Sequence, residues 1–141
     1  MRAKLSCVGC GALLSAAIEI PDQAADPDDA GIVFVDQRPL TSVGAGFLSS
    51  RPMQWSEDEE HKPALQFSPQ YWLNPRDLES AVEPVDDANR LNGCCGPDGC
   101  DGPNMRCRSC KAEVGTRQND CWTSDVFIPE PSATKWLEIG T

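Results

Sequence analysis

Two cysteine pairs of identical spacing, Cys7-Val8-Gly9-Cys10 and Cys107-Arg108-Ser109-Cys110, constrain this 141-residue chain more than any other feature. Each pair is a short loop whose sulfurs can converge on one cation, and four thiolates are the ligand set of closed, tetrahedral Zn²⁺ sites. The pattern predicts that Cys7, Cys10, Cys107 and Cys110 hold one structural zinc and tie the opening of the chain to its closing third. Gly11 follows the first pair, where amides folding back toward sulfur need permissive backbone. Lys111 holds the same place after the second pair, which makes that turn less typical. The long stretch between Cys10 and Cys107 is no obstacle, because closing a loop costs only about 0.6 kcal/mol per doubling of its length.

Composition says why a metal would matter. Twelve Pro, eleven Gly and an aromatic content of 6% favour turns and short elements over a large core. The length fits one domain spanning residues 1–141. Structural zinc contributes an apparent ~10–16 kcal/mol at neutral pH, against a total stability of about 5–15 kcal/mol for an ordinary domain. Losing the ion should therefore unfold the chain.

With 12 basic and 22 acidic side chains the formal charge is −10, so nucleic acid is not an expected partner. The acidic runs, Asp26 to Asp29, Glu57 to Glu60, and Glu83 with Asp86 and Asp87, read as solvated loops. Asp26-Pro27-Asp28-Asp29 lacks the later ligands of a calcium loop. The N-terminus has a basic start and an apolar run to Ile20, yet cysteines and glycines interrupt that run, and removing it would delete a knuckle. It is also too broken for a bilayer span, which takes about 20 apolar residues. The expectation is a soluble, cytoplasmic chain with reduced thiols and no membrane partner.

The fold class expected is mainly β, a small α+β domain with short helices, its zinc-ribbon-like sheet clamped by the two knuckles. Leu13 to Ile20 reads as a strand or helical turn, Ile32-Val33-Phe34-Val35 as the clearest strand, and Val43 to Leu48 as a weaker one. Alternation from Ala64 to Leu73 is partial. Asn74-Pro75-Arg76-Asp77 starts a brief helix, with Asn as N-cap and Pro at the first helical position. Residues 113–122 and 124–128 read as a hairpin or two strands, and 132–139 as a terminal helical turn. No repeat or low-complexity tract is evident.

The densest chemistry lies in Asn92-Gly93-Cys94-Cys95-Gly96-Pro97-Asp98-Gly99-Cys100-Asp101-Gly102-Pro103-Asn104, with Cys121 placed to return to this loop. Cys94, Cys95, Cys100 and Cys121 form a candidate second metal or redox cluster, or else serve as buried thiols. Adjacent cysteines on extended backbone face opposite ways, so Cys94 and Cys95 meet at one site only through a tight turn.

A Cys-x-x-Cys-Gly knuckle near the start, a mostly β insertion, and a second knuckle followed by Ala112-Glu113-Val114-Gly115-Thr116 resemble the zinc-anchored β-tent group. That group includes Yippee proteins, the thalidomide-binding domain of cereblon, and methionine sulfoxide reductases of the B type. The resemblance implies a structural zinc on Cys7, Cys10, Cys107 and Cys110. Trp122 and Trp136 follow the second knuckle but stand in no matching ligand-cage motif, and Asn119-Asp120-Cys121-Trp122 does not match the reductases' catalytic pattern. The loop from Arg90 to Asn104, with Asp120-Cys121-Trp122, also resembles uncharacterised bacterial proteins.

Enzymatic readings find little support. His61 is the only histidine, so a His-ligated catalytic zinc is ruled out by counting and a Cys–His nucleophile has no motif. A thiol oxidoreductase is the least remote activity. Of the four tryptophans, Trp72 beside Tyr71 and Trp55 beside Met53 are the better candidates for an exposed contact patch, the others reading as packing. The functional expectation is a structural-zinc binding or adaptor domain for a protein partner or small ligand, without catalysis. The alternative is a thiol redox sensor or soft-metal-binding protein using Cys94, Cys95, Cys100 and Cys121.

Overall fold

The computed structural model describes residues 1–53 and 65–139. The acidic run Glu57–Glu60, His61 and Trp55 lie outside them. Among the described residues the fold is mainly β: nine short strands, two three-residue 3₁₀ turns, and nothing longer that is helical.

β1 (Arg2–Cys7) carries the first knuckle at its end and sits between β2 (Ile18–Glu19) and β9 (Thr134–Glu138), antiparallel to both. β5 (Val82–Pro84), β6 (Met105–Cys107), β7 (Glu113–Gln118) and β8 (Val126–Pro129) form an antiparallel four-stranded sheet in chain order. The second knuckle is the β6–β7 turn. β3 (Phe47–Ser49) and β4 (Gln70–Trp72) pair with each other and are linked to β8 by reciprocal hydrogen bonds between Leu73 and Phe127, 3.0 Å each way.

Burial places the metal ligands. Leu5, Leu14, Ile18, Val114 and Phe127 pack into one core that also contains the side chains of Cys7 and Cys107. A second cluster gathers Trp72, Phe47, Val126 and Ile128. The buried side chains of Gln70 and Asn104 have partners, as burial demands, whereas Thr41 Oγ1, Arg106 Nε and Asn119 Oδ1 are buried without one among the described residues. Gln70 accepts from the Trp72 indole at 3.0 Å and from the Met53 amide at 2.9 Å, and donates to the Leu65 carbonyl at 3.2 Å. Asn104 exchanges two bonds with the backbone of Arg117, at 2.7 and 2.8 Å, so its side chain acts as one more rung beside β7.

Several sequence expectations hold. Asn74 caps a 3₁₀ turn over Pro75–Asp77, accepting from the Arg76 amide. Residues 113–129 form the β7–β8 hairpin. Others are corrected. Ile32 to Val35 forms no strand: its backbone bonds go to local turns, such as Ile32 N–H to Pro27 at 2.9 Å, and Val33, Phe34 and Val35 stay exposed. β-branched residues favour strands only where a neighbouring strand offers a ladder. The terminal helical turn is instead β9, in register with β1 from Ala3 opposite Glu138 to Cys7 opposite Thr134. Trp72 is not a contact residue but core, 1% exposed, whereas Trp122 is 82% exposed.

Candidate metal centre

The two knuckles are built alike. In the first, Cys7 N–H donates to the Ala12 carbonyl and Gly11 N–H to the Cys7 carbonyl, both at 2.8 Å. In the second, Cys107 N–H donates to Ala112 and Lys111 N–H to Cys107, again both at 2.8 Å. Val8 and Arg108 each donate outward at 3.0 Å, to the Ala133 and Ala81 carbonyls. Leu14 and Val114 are the matching buried anchors. The likeness is visible in sequence once aligned, Cys-x-x-Cys-x-Ala-x-Leu against Cys-x-x-Cys-x-Ala-x-Val, a short internal repeat that the sequence reading missed.

The turn closes through a left-handed residue in both copies, Gly11 at φ 76° and Lys111 at φ 67°. An L-residue there pays roughly 1–2 kcal/mol that glycine does not. Lys111 is held in place by an ion pair from its Nζ to Glu83 at 2.8 Å, and Glu83 also meets Arg106 at 3.3 Å. The Lys111 hydrogen bond, helped by Arg106, keeps the Glu83 carboxyl below its ordinary range.

The four sulfurs face one another across the two sheets. Cys7 Sγ lies 3.6 Å from Cys110 Sγ, and Cys10 Sγ 3.8 Å from Cys107 Sγ. All four ligand atoms fall within 4.8 Å of each other. A tetrahedral ion about 2.3 Å from each sulfur requires sulfur–sulfur edges of about 3.8 Å, so the donor set fits a metal in both chemistry and spacing. Each knuckle gives one buried sulfur, Cys7 or Cys107, and one exposed, Cys10 or Cys110.

The electrostatics call for a cation. Burial raises the Cys7 thiol, with amides of Cys10 and Gly9 pulling it back. At Cys10 the Ala12 amide lowers the thiol, but desolvation and the three neighbouring sulfurs outweigh it and push it up to about 12. At Cys107 burial acts upward, yet the amides of Cys110 and Ser109 and the thiols of Cys10 and Cys110 together carry it below its ordinary value. The Cys7 and Cys10 thiols are thus raised while Cys107 is lowered. A divalent ion is the partner that lets all four deprotonate together.

The second predicted group is rearranged. Cys94, Cys95 and Cys121 do come together, with Cys95 and Cys121 joined as a disulfide and Cys94 Sγ 2.7 Å from Cys121 Sγ. Cys100 lies outside this group, its Sγ directed to the Asp98 carbonyl at 3.8 Å. Asp120 takes the fourth place. Its Oδ1 accepts from the Cys95 and Cys121 amides at 3.0 and 2.8 Å, and these hold its carboxyl below the usual range. The hydrogen bond to Asp120 in turn raises the Cys94 thiol. Adjacency to Cys121 was the one signal in the sequence that could have found Asp120.

No helix among the described residues is long and apolar enough to cross a membrane. No protein-family model matches the chain, and neither a curated protein nor a solved structure matches it.

Proposed function

We propose that the chain is a zinc-clamped binding domain, without catalysis of its own, that offers an exposed aromatic face of mixed polarity to a protein partner. The observation that carries this reading is the sulfur spacing at the paired knuckles, 3.6 and 3.8 Å across the two ends of the chain. Zinc is the ion that best suits four thiolates in a closed tetrahedron, where no position is left for water or substrate. Its role would then be to hold β1 and β6 together. Reduced thiols at this site accord with a cytoplasmic location. The β-tent likeness is retained as part of the proposal, on the knuckles and their flanking strands.

Support for a partner comes from the surface. Val33 is 71% exposed and Trp122 82%, and Phe34 and Trp122 line one shallow cleft with Met53 and Gln118. The cleft also takes in Asp36, Thr123 and Ser124, so exposed aromatic groups sit beside polar ones, and such aromatic groups are where protein interfaces concentrate their binding energy. A small ligand, the other occupant expected from sequence, has a cleft of about 440 Å³ among Phe67, Tyr71, Trp136 and three prolines.

The test is site-specific photocrosslinking in the native cell, with a benzophenone amino acid replacing Trp122 or, as a control, Leu137 of β9. One discrete adduct from position 122 and none from 137 is expected, with zinc retained in both proteins. Adducts at both positions alike, or at neither, would contradict the proposed face.

A further inference from the structure

We propose that Cys94, Cys95, Cys121 and the carboxylate of Asp120 form a second, redox-gated site for a thiophilic divalent metal ion. It stands independently of the knuckle clamp and of any partner.

The loop geometry gathers the ligands. Adjacent cysteines reach one centre only through a tight turn, and the chain provides it: Gly93 has φ 148°, and a Cβ there would overlap the Gly96 carbonyl oxygen. A Cβ on Gly96 would likewise overlap the Asn119 carbonyl, so the loop lies directly against the segment carrying Asp120 and Cys121. Three bonds fix that approach: Asp98 N–H to Asn92 at 2.7 Å, Asn119 N–H to Pro97 at 2.8 Å, and the Gln118 amide to Asp98 at 3.1 Å. As a result Cys94 Sγ and Cys95 Sγ fall 3.6 Å apart on the same side, close to a tetrahedral edge. Asp120 Oδ1 is 3.4 Å from Cys94 Sγ and is oriented by the Cys95 and Cys121 amides. Three sulfurs and one oxygen within 4.8 Å of each other make a four-ligand set. Its thiolate majority selects zinc-like or softer ions over calcium or magnesium.

The Cys95–Cys121 disulfide is the closed state of this site, because a sulfur in a disulfide has no thiolate to give. A dithiol supplies the two electrons and two protons that break the bond, leaving two thiols and its own disulfide; a phosphine does so with one water, leaving as the phosphine oxide. Binding the ion then releases three protons, one from each cysteine, while Asp120 enters already ionised. In reverse, a peroxide takes two electrons from the Cys95 and Cys121 thiolates and, with two protons, leaves as two waters. Cys94, alone with Asp120, then releases the ion. Both loop cysteines are exposed, so reductant, oxidant and metal reach them directly.

The full-length protein is loaded with Zn²⁺ after phosphine reduction, or after one equivalent of hydrogen peroxide, and bound zinc per chain is counted following gel filtration. Two ions are expected in the reduced protein and one after peroxide. Cys121→Ser should hold one ion in both states, with an unchanged far-UV circular dichroism spectrum. Should that variant fail to fold, Cys94→Ser leaves the disulfide partners in place and should likewise hold one ion when reduced. A single zinc in the reduced wild type, or a second zinc that survives Cys94→Ser, overturns the proposal.

Discussion

The two cysteine groups have similar numbers of sulfur atoms and opposite construction. At the knuckles each pair lies in a hydrogen-bonded turn at the end of a strand, with Cys7 and Cys107 in the core, and the sulfurs stand at non-bonded distances. In the second group Cys94 and Cys95 are exposed on a loop anchored by a few turn bonds, and Cys95 is joined covalently to the half-buried Cys121. Strand-borne turns fix sulfur separation by backbone geometry and suit a permanent ion. A glycine-rich loop lets sulfurs approach and part, which suits reversible chemistry.

Breaking the clamp should have the largest effect. Chelating the metal, or replacing Cys107 by Ser, is expected to abolish cooperative folding, since the ion's contribution of roughly 10–16 kcal/mol exceeds the stability of an ordinary small domain. Thermal unfolding followed by circular dichroism checks this, and a sharp transition surviving chelation would count against it.

Opening the loop should do much less. Cys95→Ser in the oxidised protein removes a cross-link of sequence separation 26, expected to cost about 3.5 kcal/mol from loop entropy. Urea unfolding of the two oxidised proteins measures it, and total loss of folding would reverse the contrast between the groups.

Within the clamp, the left-handed positions sharpen the likeness of the two turns. Gly11→Ala introduces a side chain into open space at φ 76°, so its cost of about 1 kcal/mol comes from backbone alone. Lys111→Gly gains that conformational term but loses an exposed ion pair and unfolded-state order. Its net change in urea midpoint should be close to zero.

The smallest effect concerns Glu83. A carboxyl held below its unfolded pKa stabilises the fold above that value and ceases to do so as pH falls through the folded one. The small destabilisation from Glu83→Gln should therefore be the same at pH 8 and pH 6. A difference that changes between those two values would mean another group controls the Lys111 turn.

What could be read from the sequence was local. The Cys-x-x-Cys turns, the Asn74-Pro75 cap and the β7–β8 hairpin each carry their geometry within a few residues. What could not be read depends on distant partners. Ile32–Val35 has strand chemistry but no neighbouring ladder, and residues 134–138 become a strand because β1 presents an open edge. Trp72 is buried because Phe47 packs against it at 5.7 Å and its indole N–H donates to Gln70 Oε1. Asp120 joins the loop sulfurs because its Oδ1 accepts amides from both sides of the site, at Cys95 and Cys121.

X-ray absorption at the metal edge tests the clamp most directly, using protein in which Cys94, Cys95 and Cys121 are replaced by Ser so that only the knuckles can bind. One zinc per chain with four sulfurs at about 2.3 Å is the predicted result. A shell containing nitrogen or oxygen, or a folded protein with no bound metal, would contradict the claim that the two knuckles close around a single ion.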